Sequence, residues 1–198
     1  MTKAMGTLLE AVALADLKQV QELLAQGYLT IDEQNNQGET PLLIATHQNL
    51  VTIAKALIDA KADVNLQDHM QDSPYLYAGA QGRLEILTYM LENSSPNQNV
   101  FNRYGGNTLI PAAEKGHLAN VKLLLADGKV AINHQNNFGY TALIEAVALT
   151  DGSQIYVDII RELLKYNADK TLRDNRGRTA EDYAIALGYT EILKELQK

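Results

Sequence analysis

The stretch RYGGNTLIPAAEKGH, Arg103 to His117, holds two adjacent glycines and then Glu114, Lys115, Gly116 and His117. Such a run could cradle a phosphate on backbone N–H groups, with a lysine and a histidine at hand for charge or proton transfer. A phosphate loop, however, joins a strand to a helix inside a βαβ unit, with Lys or Ser/Thr at fixed offsets. Gly105-Gly106-Asn107-Thr108 has a helical pattern after it and no buried strand before it. The histidines His47, His69, His117 and His134 suit metal chemistry no better, since none has a second histidine three or four residues on and a metal needs several converging ligands. Asp151-Gly152-Ser153 sets an acid beside a hydroxyl with no histidine near, and reads as a turn. Glu114-Lys115 reads as a solvated pair or a contact site. No nucleophile or base with an orienting partner stands out. The reading is therefore of a chain that is not an enzyme, with no catalytic, cofactor-binding or metal residues.

The elements that would position these residues repeat. NNQGETPLLIATHQN at Asn35, DHMQDSPYLYAGAQG at Asp68, NRYGGNTLIPAAEKG at Asn102, NNFGYTALIEAVAL at Asn136 and DNRGRTAEDYAIALG at Asp174 align without gaps, their starts 33, 34, 34 and 38 residues apart. Each begins with Asn or Asp, whose side chain can bond the backbone two residues on. A glycine follows at Gly38, Gly105, Gly139 and Gly177, then an N-capping residue at Thr40, Ser73, Asn107, Thr141 or Thr179. Pro41 and Pro74 occupy the first helical position, where a missing N–H costs least. A short apolar helix comes next and stops at Asn49, Gly82, Gly116 and Gly188. A second helix then carries apolar residues at spacings of three and four, as in LEILTYMLEN and YVDIIRELLKY. LLEAVAL and LKQVQELLAQG fit the same scheme at the N-terminus without its turn. Neither helix of a pair can bury its face alone, so neighbouring pairs must supply the core. Pro111, four residues past its cap, predicts a distorted short helix.

The remaining bounds are compositional. A chain of 198 residues with 46% hydrophobic and 21% charged residues suits one domain or one repeat array. Its net charge of −7 disfavours nonspecific binding to nucleic acid or anionic membrane. Without cysteines it has no disulfides, thiolate zinc sites or cysteine nucleophiles. No apolar run approaches the ~18 residues of a membrane span. Glu10 and Asp16 interrupt any signal-peptide core, so the compartment stays open: soluble and cytoplasmic by default, exported if a signal has been removed.

GETPLLIAT, KADVNLQD, EKGHLANVKLLL and YNADKTLRDNRGRT resemble the ankyrin repeat, and the likeness spans nearly the whole chain. QDSPYLYAGAQGR, NRYGGNTLIPAAEKGH and GYTALIEAVALTDG further resemble small bacterial ankyrin-repeat proteins. The resemblance implies an all-α ankyrin-repeat solenoid of about six helix-turn-helix repeats with β-turn or hairpin fingers. A single domain over 1–198 would comprise repeats at 1–34, 35–67, 68–101, 102–135, 136–173 and 174–198, the fifth with an insertion near 148–157. The histidine usual after Thr-Pro-Leu is missing, with Leu43, Leu76, Ile110, Ile144 and Asp182 in its place. Gln71 replaces the turn glycine and Lys61 a helix-end glycine, so those two turns are expected to be strained or rearranged.

The resemblance also implies function: a monomeric protein-interaction module that binds a protein partner, not nucleic acid, on a concave face of fingers and inner-helix ends. The family positions free to vary there run from Asn36, Gln37 and Glu39 on the first finger to Ala148 and Leu149 at a helix end. Those expected to bind a partner are Met70 and Asp72, Arg103 and Tyr104, and Phe138 and Tyr140 on the fingers, with Gln81, Glu114 and Lys115 at helix ends. Large aromatics beside an arginine are the stuff of interface hot spots, although the same rings could instead stiffen the array. Tyr75 and Tyr77 read as core, and His47 as solvated. Arg173, Arg176 and Arg178 read as part of a salt-laced surface, or as a steer for an acidic partner. The alternatives are a small-ligand or enzyme site at the insertion, LTDGSQIY, and a stabilising accessory subunit of one enzyme.

Overall fold

The computed structural model describes residues 6–27 and 30–198, so positions 1–5 and 28–29 of the first repeat lie outside the described residues. Among the described residues it consists of twelve helices and no strand. They fall in pairs: α1 (Leu8–Ala13) with α2 (Leu17–Ala25), α3 (Pro41–His47) with α4 (Val51–Asp59), and α5 (Pro74–Ala80) with α6 (Leu84–Asn93). Then come α7 (Leu109–Glu114) with α8 (Leu118–Asp127), α9 (Ala142–Ala148) with α10 (Gln154–Lys165), and α11 (Ala180–Leu187) with α12 (Thr190–Leu196). The chain divides into two compact units, Met1–Ala78 with Glu85–Asn97 and Gly79–Leu84 with Gln98–Lys198.

The first helices begin where the capping residues place them. The Thr40, Thr141 and Thr179 hydroxyls each accept the N–H three residues on at 3.1 Å, and Ser73 accepts from Leu76 at 3.2 Å. Thr7 does the same within a capping box completed by Glu10. In the first unit α1 packs on α2 and α3, and α4 on α2 and α3, burying Leu8, Val12, Leu42, Leu43, Ile53 and Leu57. In the second unit α9 packs against both α7 and α11, while α10 lies on α8, α9 and α12. Leu109, Leu143, Ile144, Ile159, Ile160 and Ile192 fill the space between them.

Lys61 and Gln71 hold φ of 73° and 61°. The turns keep their left-handed geometry and the side chains accept the strain. The helix bearing Pro111 is shortened. In its sisters the cap carbonyl accepts the N–H four residues on, as Thr40 does from Ile44 at 3.0 Å and Thr141 from Glu145 at 2.9 Å. Pro111 stands at that position without an N–H, so α7 is counted only from Leu109 although Thr108 already has helical φ and ψ of −61° and −31°. Asn107 compensates with its side-chain oxygen, which accepts from Leu109 at 3.2 Å and Ile110 at 3.3 Å. Pro111→Ala is expected to lengthen α7 by one residue and to raise stability by about 1 kcal/mol, one restored hydrogen bond. Denaturant melting of the variant checks it; a loss of stability would show that the proline ring packs better than the bond it removes.

Gly79 marks a close approach of helices in the second unit. A Cβ there would stand 2.1 Å from Thr108 Cγ2 and 3.2 Å from its carbonyl oxygen. Thr108 is β-branched and buried, so it cannot swing aside. Gly79→Ala should destabilise the protein by about 1–3 kcal/mol, the cost of overpacking a full core, read as a lowered melting midpoint.

Candidate binding face

Each finger is built by one Asx side chain. Asn102 Oδ1 accepts the N–H of Tyr104 at 2.9 Å and of Gly106 at 3.0 Å. Asn136 Oδ1 accepts those of Phe138 and Tyr140 at 3.0 Å, and Asp174 Oδ1 those of Arg176 at 2.8 Å and Arg178 at 2.9 Å. Asn35 and Asp68 do the same in the first unit. The turns are closed by backbone bonds such as Asn136 N–H to the Tyr140 carbonyl, 3.0 Å. The tip then needs left-handed backbone. Gly139 has φ of 78°, and a Cβ there would stand 2.7 Å from the Asn175 backbone nitrogen. Adjacent fingers are stitched together: Asn137 N–H donates to the Tyr104 carbonyl at 2.9 Å, and Asn175 N–H to the Phe138 carbonyl at 3.0 Å.

This stitching sets the fingertip side chains side by side. Tyr104 and Phe138 have ring centroids 6.4 Å apart, Phe138 and Tyr140 6.2 Å, and Tyr140 and Tyr183 6.2 Å edge to face. Tyr104 and Phe138 are 49% and 54% exposed, while Tyr183 on α11 is buried. The Arg103 guanidinium lies 4.9 Å from the Tyr104 centroid and that of Arg178 5.4 Å from Tyr183. The ladder is anchored at its buried end, where the Tyr183 hydroxyl donates to Asp174 Oδ2 and lies 3.2 Å from the Tyr140 hydroxyl. Burial and then the bond to Asp174 push the Tyr183 phenol well up. Burial works to raise the Asp174 carboxyl, but Tyr183 and the two backbone N–H groups hold it below its ordinary value.

Behind the ladder lies a buried acid that the sequence reading passed over. Glu145, on α9, occupies the position filled by Ile44 in α3 and by Tyr183 in α11, and is 6% exposed. Asn136 Nδ2 donates to its Oε1 at 2.7 Å, so one asparagine holds both the finger and the carboxyl beneath it. Burial, and then the Glu114 carboxylate, push the Glu145 pKa up to about 7 against the pull of that bond. The available signal was a lone acid inside ALIEAVA.

Of the residues singled out from sequence, Gln81, Arg103, Tyr104, Glu114, Lys115, Phe138 and Tyr140 belong to the second unit and Met70 and Asp72 to the first. Met70 is 54% exposed at its fingertip. Asp72 is half-buried, its N–H bonded to Asp68 Oδ1 at 2.9 Å. Glu114 is half-buried and its carbonyl accepts the Tyr156 hydroxyl at 3.0 Å, whereas Lys115 is exposed.

His47, His117 and His134 hold structure together. His47, expected in solvent, is half-buried, with Nδ1 3.1 Å from Glu39 and its ring 4.1 Å from Tyr77. The cause is Tyr77, which stands half-buried where α3 has Ile44 and offers a flat ring. His134 stacks on Phe101 at 4.4 Å and its Nε2 lies 2.7 Å from the Gly105 carbonyl. His117 packs over Gly82, and burial followed by the charge of Lys115 lowers its pKa. Among the described residues no three His, Asp or Glu side chains converge as a metal site would need. No helix of the described residues is long and apolar enough to cross a membrane.

Comparison with known proteins agrees with this construction. A family model for ankyrin repeats matches in three copies, over residues 8–102, 76–173 and 109–198. The chain is 37% identical over 181 residues to the ankyrin repeat protein YahD of Escherichia coli K12, covering 91% of this chain and 89% of that one. Its structure is similar to that of EF0377, an ankyrin repeat protein, with a TM-score of 0.97 and 58% identity over 100% of this chain and 99% of the other. An ankyrin repeat domain from Acinetobacter baumannii superposes with a TM-score of 0.91 at 45% identity, covering 96% and 95% of the two chains.

Proposed function

The chain belongs to the ankyrin repeat family, and from that premise we propose that it captures a protein partner on the fingertips and inner-helix ends of its second unit. Ankyrin repeats are in general protein-interaction modules. The observation that carries the finer reading is the ladder of Tyr104, Phe138 and Tyr140, whose outer rings stand half in water beside an arginine. Rings held this way lose little freedom on binding, because Asx bonds and finger-to-finger bonds have already ordered the backbone beneath them. The protein would act as a monomeric, non-catalytic binder, with its repeats serving as one interaction domain and with no nucleic-acid partner.

A small-ligand or enzyme role at the insertion has less to support it, since its groups are engaged in holding helices. The Tyr189 hydroxyl donates to the Thr150 carbonyl, and Asp151 Oδ1 accepts the Ser153 N–H at 3.0 Å at the start of α10. Gly152 lies under the Tyr189 ring. A stabilising subunit of one enzyme is a special case of the proposed role, distinguished by what is captured. The test is capture of a partner from the native host by the wild-type chain and by the Tyr104→Ala/Phe138→Ala variant, with thermal melting of both.

A further inference from the structure

The chain carries a net charge of −7, yet the fingertips of the second unit carry the opposite sign. Within residues 102–106, 136–140 and 174–178 the exposed charged side chains are Arg103, Arg176 and Arg178. The one acid in those stretches, Asp174, is buried, with its carboxylate taken up by the Tyr183 hydroxyl and the N–H groups of Arg176 and Arg178. The positive charges stand at the two ends of the aromatic ladder, and its middle, Phe138 and Tyr140, has none. The accessible rings, Tyr104, Phe138 and Tyr140, follow one another at 6.4 and 6.2 Å. An extended peptide advances ~3.3 Å per residue, so its alternate side chains lie ~6.6 Å apart, close to the step of the ladder.

We propose that this finger row seats an acidic segment of a partner protein, extended along the accessible rings of Tyr104, Phe138 and Tyr140, with alternate apolar side chains on those rings and carboxylates on the arginines of the first and last fingers. The proposal rests on the reading of this face as protein-binding. Arginine is suited to the task, because its planar guanidinium stacks on an aromatic face and carries five N–H donors, enough to serve more than one acceptor at once. A nucleic-acid strand fits less well. It would lay a phosphate beside every base, over a middle stretch that offers no cation, and against a chain that is negative overall. At physiological salt charges beyond ~8 Å are screened; nearer by, the Asp182 carboxylate is met by both Arg173, 3.5 Å away, and Arg178, so the arginines set the sign that a docking segment meets.

The experiment measures fluorescence anisotropy of the purified chain with three labelled probes: a random copolymer of glutamate and tyrosine, one of lysine and tyrosine, and a single-stranded oligothymidylate. The glutamate copolymer should bind at least tenfold more tightly than either of the others. Arg103→Glu/Arg178→Glu should weaken it at least tenfold, and Arg103→Gln/Arg176→Gln, which adds no charge near Asp174, should weaken it in the same direction with a melting temperature close to that of the wild type. Equal or tighter binding of the lysine copolymer or the oligonucleotide would overturn the proposal. So would glutamate-copolymer binding that survives both arginine variants but disappears in Tyr104→Ala/Phe138→Ala; the face would then be protein-binding without preferring acids. Binding indifferent to all three variants would remove the wider reading as well.

Discussion

Replacing Tyr104 and Phe138 together by alanine is expected to abolish partner capture while leaving thermal stability nearly unchanged. A hot-spot aromatic costs roughly 2 kcal/mol or more when truncated, so the pair should cost roughly 4 kcal/mol, on the order of a thousandfold in Kd. Stability should respond far less. Both rings are about half exposed, at 49% and 54%, so truncation returns little buried area to water. Their mutual contact, with centroids 6.4 Å apart and planes tilted by 39°, is of a kind worth about 0.5–1.5 kcal/mol. The fingers themselves are held by backbone: Asn102 and Asn136 accept the N–H groups at positions 104 and 138, and those bonds do not need the rings. Denaturant melting beside capture from host extract separates the two uses of the rings. A fall in stability as large as the loss of binding would mean that the ladder stiffens the array and the binding face lies elsewhere.

Much of this was legible in the sequence because a repeat is its own alignment. Thr40, Ser73, Asn107, Thr141 and Thr179 share one register, and the structure finds each of their side chains bonded to an N–H three residues on. The same register put Tyr104 and Phe138 on fingertips, since a residue just before a turn glycine has nowhere to hide. Pro111 was legible as a fault but not as a particular fault, because the sequence does not show that Asn107 can offer its side-chain oxygen to two N–H groups.

What escaped was set by packing between repeats. His47 looks like the solvated end of a short helix until Tyr77 is placed 4.1 Å from it. Tyr183 looks like a plain core residue, and its place at the buried end of the ladder appears only when α11 is set against α9. Asn136 and Glu145 are nine residues apart, at no helical or strand spacing, and nothing local marks them as partners. Their sister pair, Asp174 and Tyr183, has the donor and acceptor exchanged: Asn136 donates to the acid of α9, whereas Asp174 accepts from the phenol of α11. Either combination leaves the second oxygen of the Asx side chain, or its only one, free to order the finger.

That exchange carries a cost at Glu145, and Glu145→Gln should remove it. The folded protein holds this carboxyl's pKa at about 7, against 4.5 for an unhindered glutamate. Between those two values the folded state keeps a proton that the unfolded state gives up, so stability rises as pH falls from above 7 toward 4.5 and the penalty is fully present above 7. At about 1.4 kcal/mol per unit, the penalty at pH ~8 is on the order of 3 kcal/mol. Glutamine carries no charge to desolvate and still presents an oxygen to Asn136 Nδ2. The variant should therefore be more stable than wild type by about 2–3 kcal/mol at pH ~8, and by little at pH ~4.5. Comparing the two proteins at each pH cancels the titration of every shared group that is not coupled to Glu145. Glu114→Gln should move the wild-type midpoint down, because Glu114 is the like charge that adds to burial. A stability difference that stays constant across this pH range would mean that Glu145 ionises freely, and that water reaches it behind the ladder.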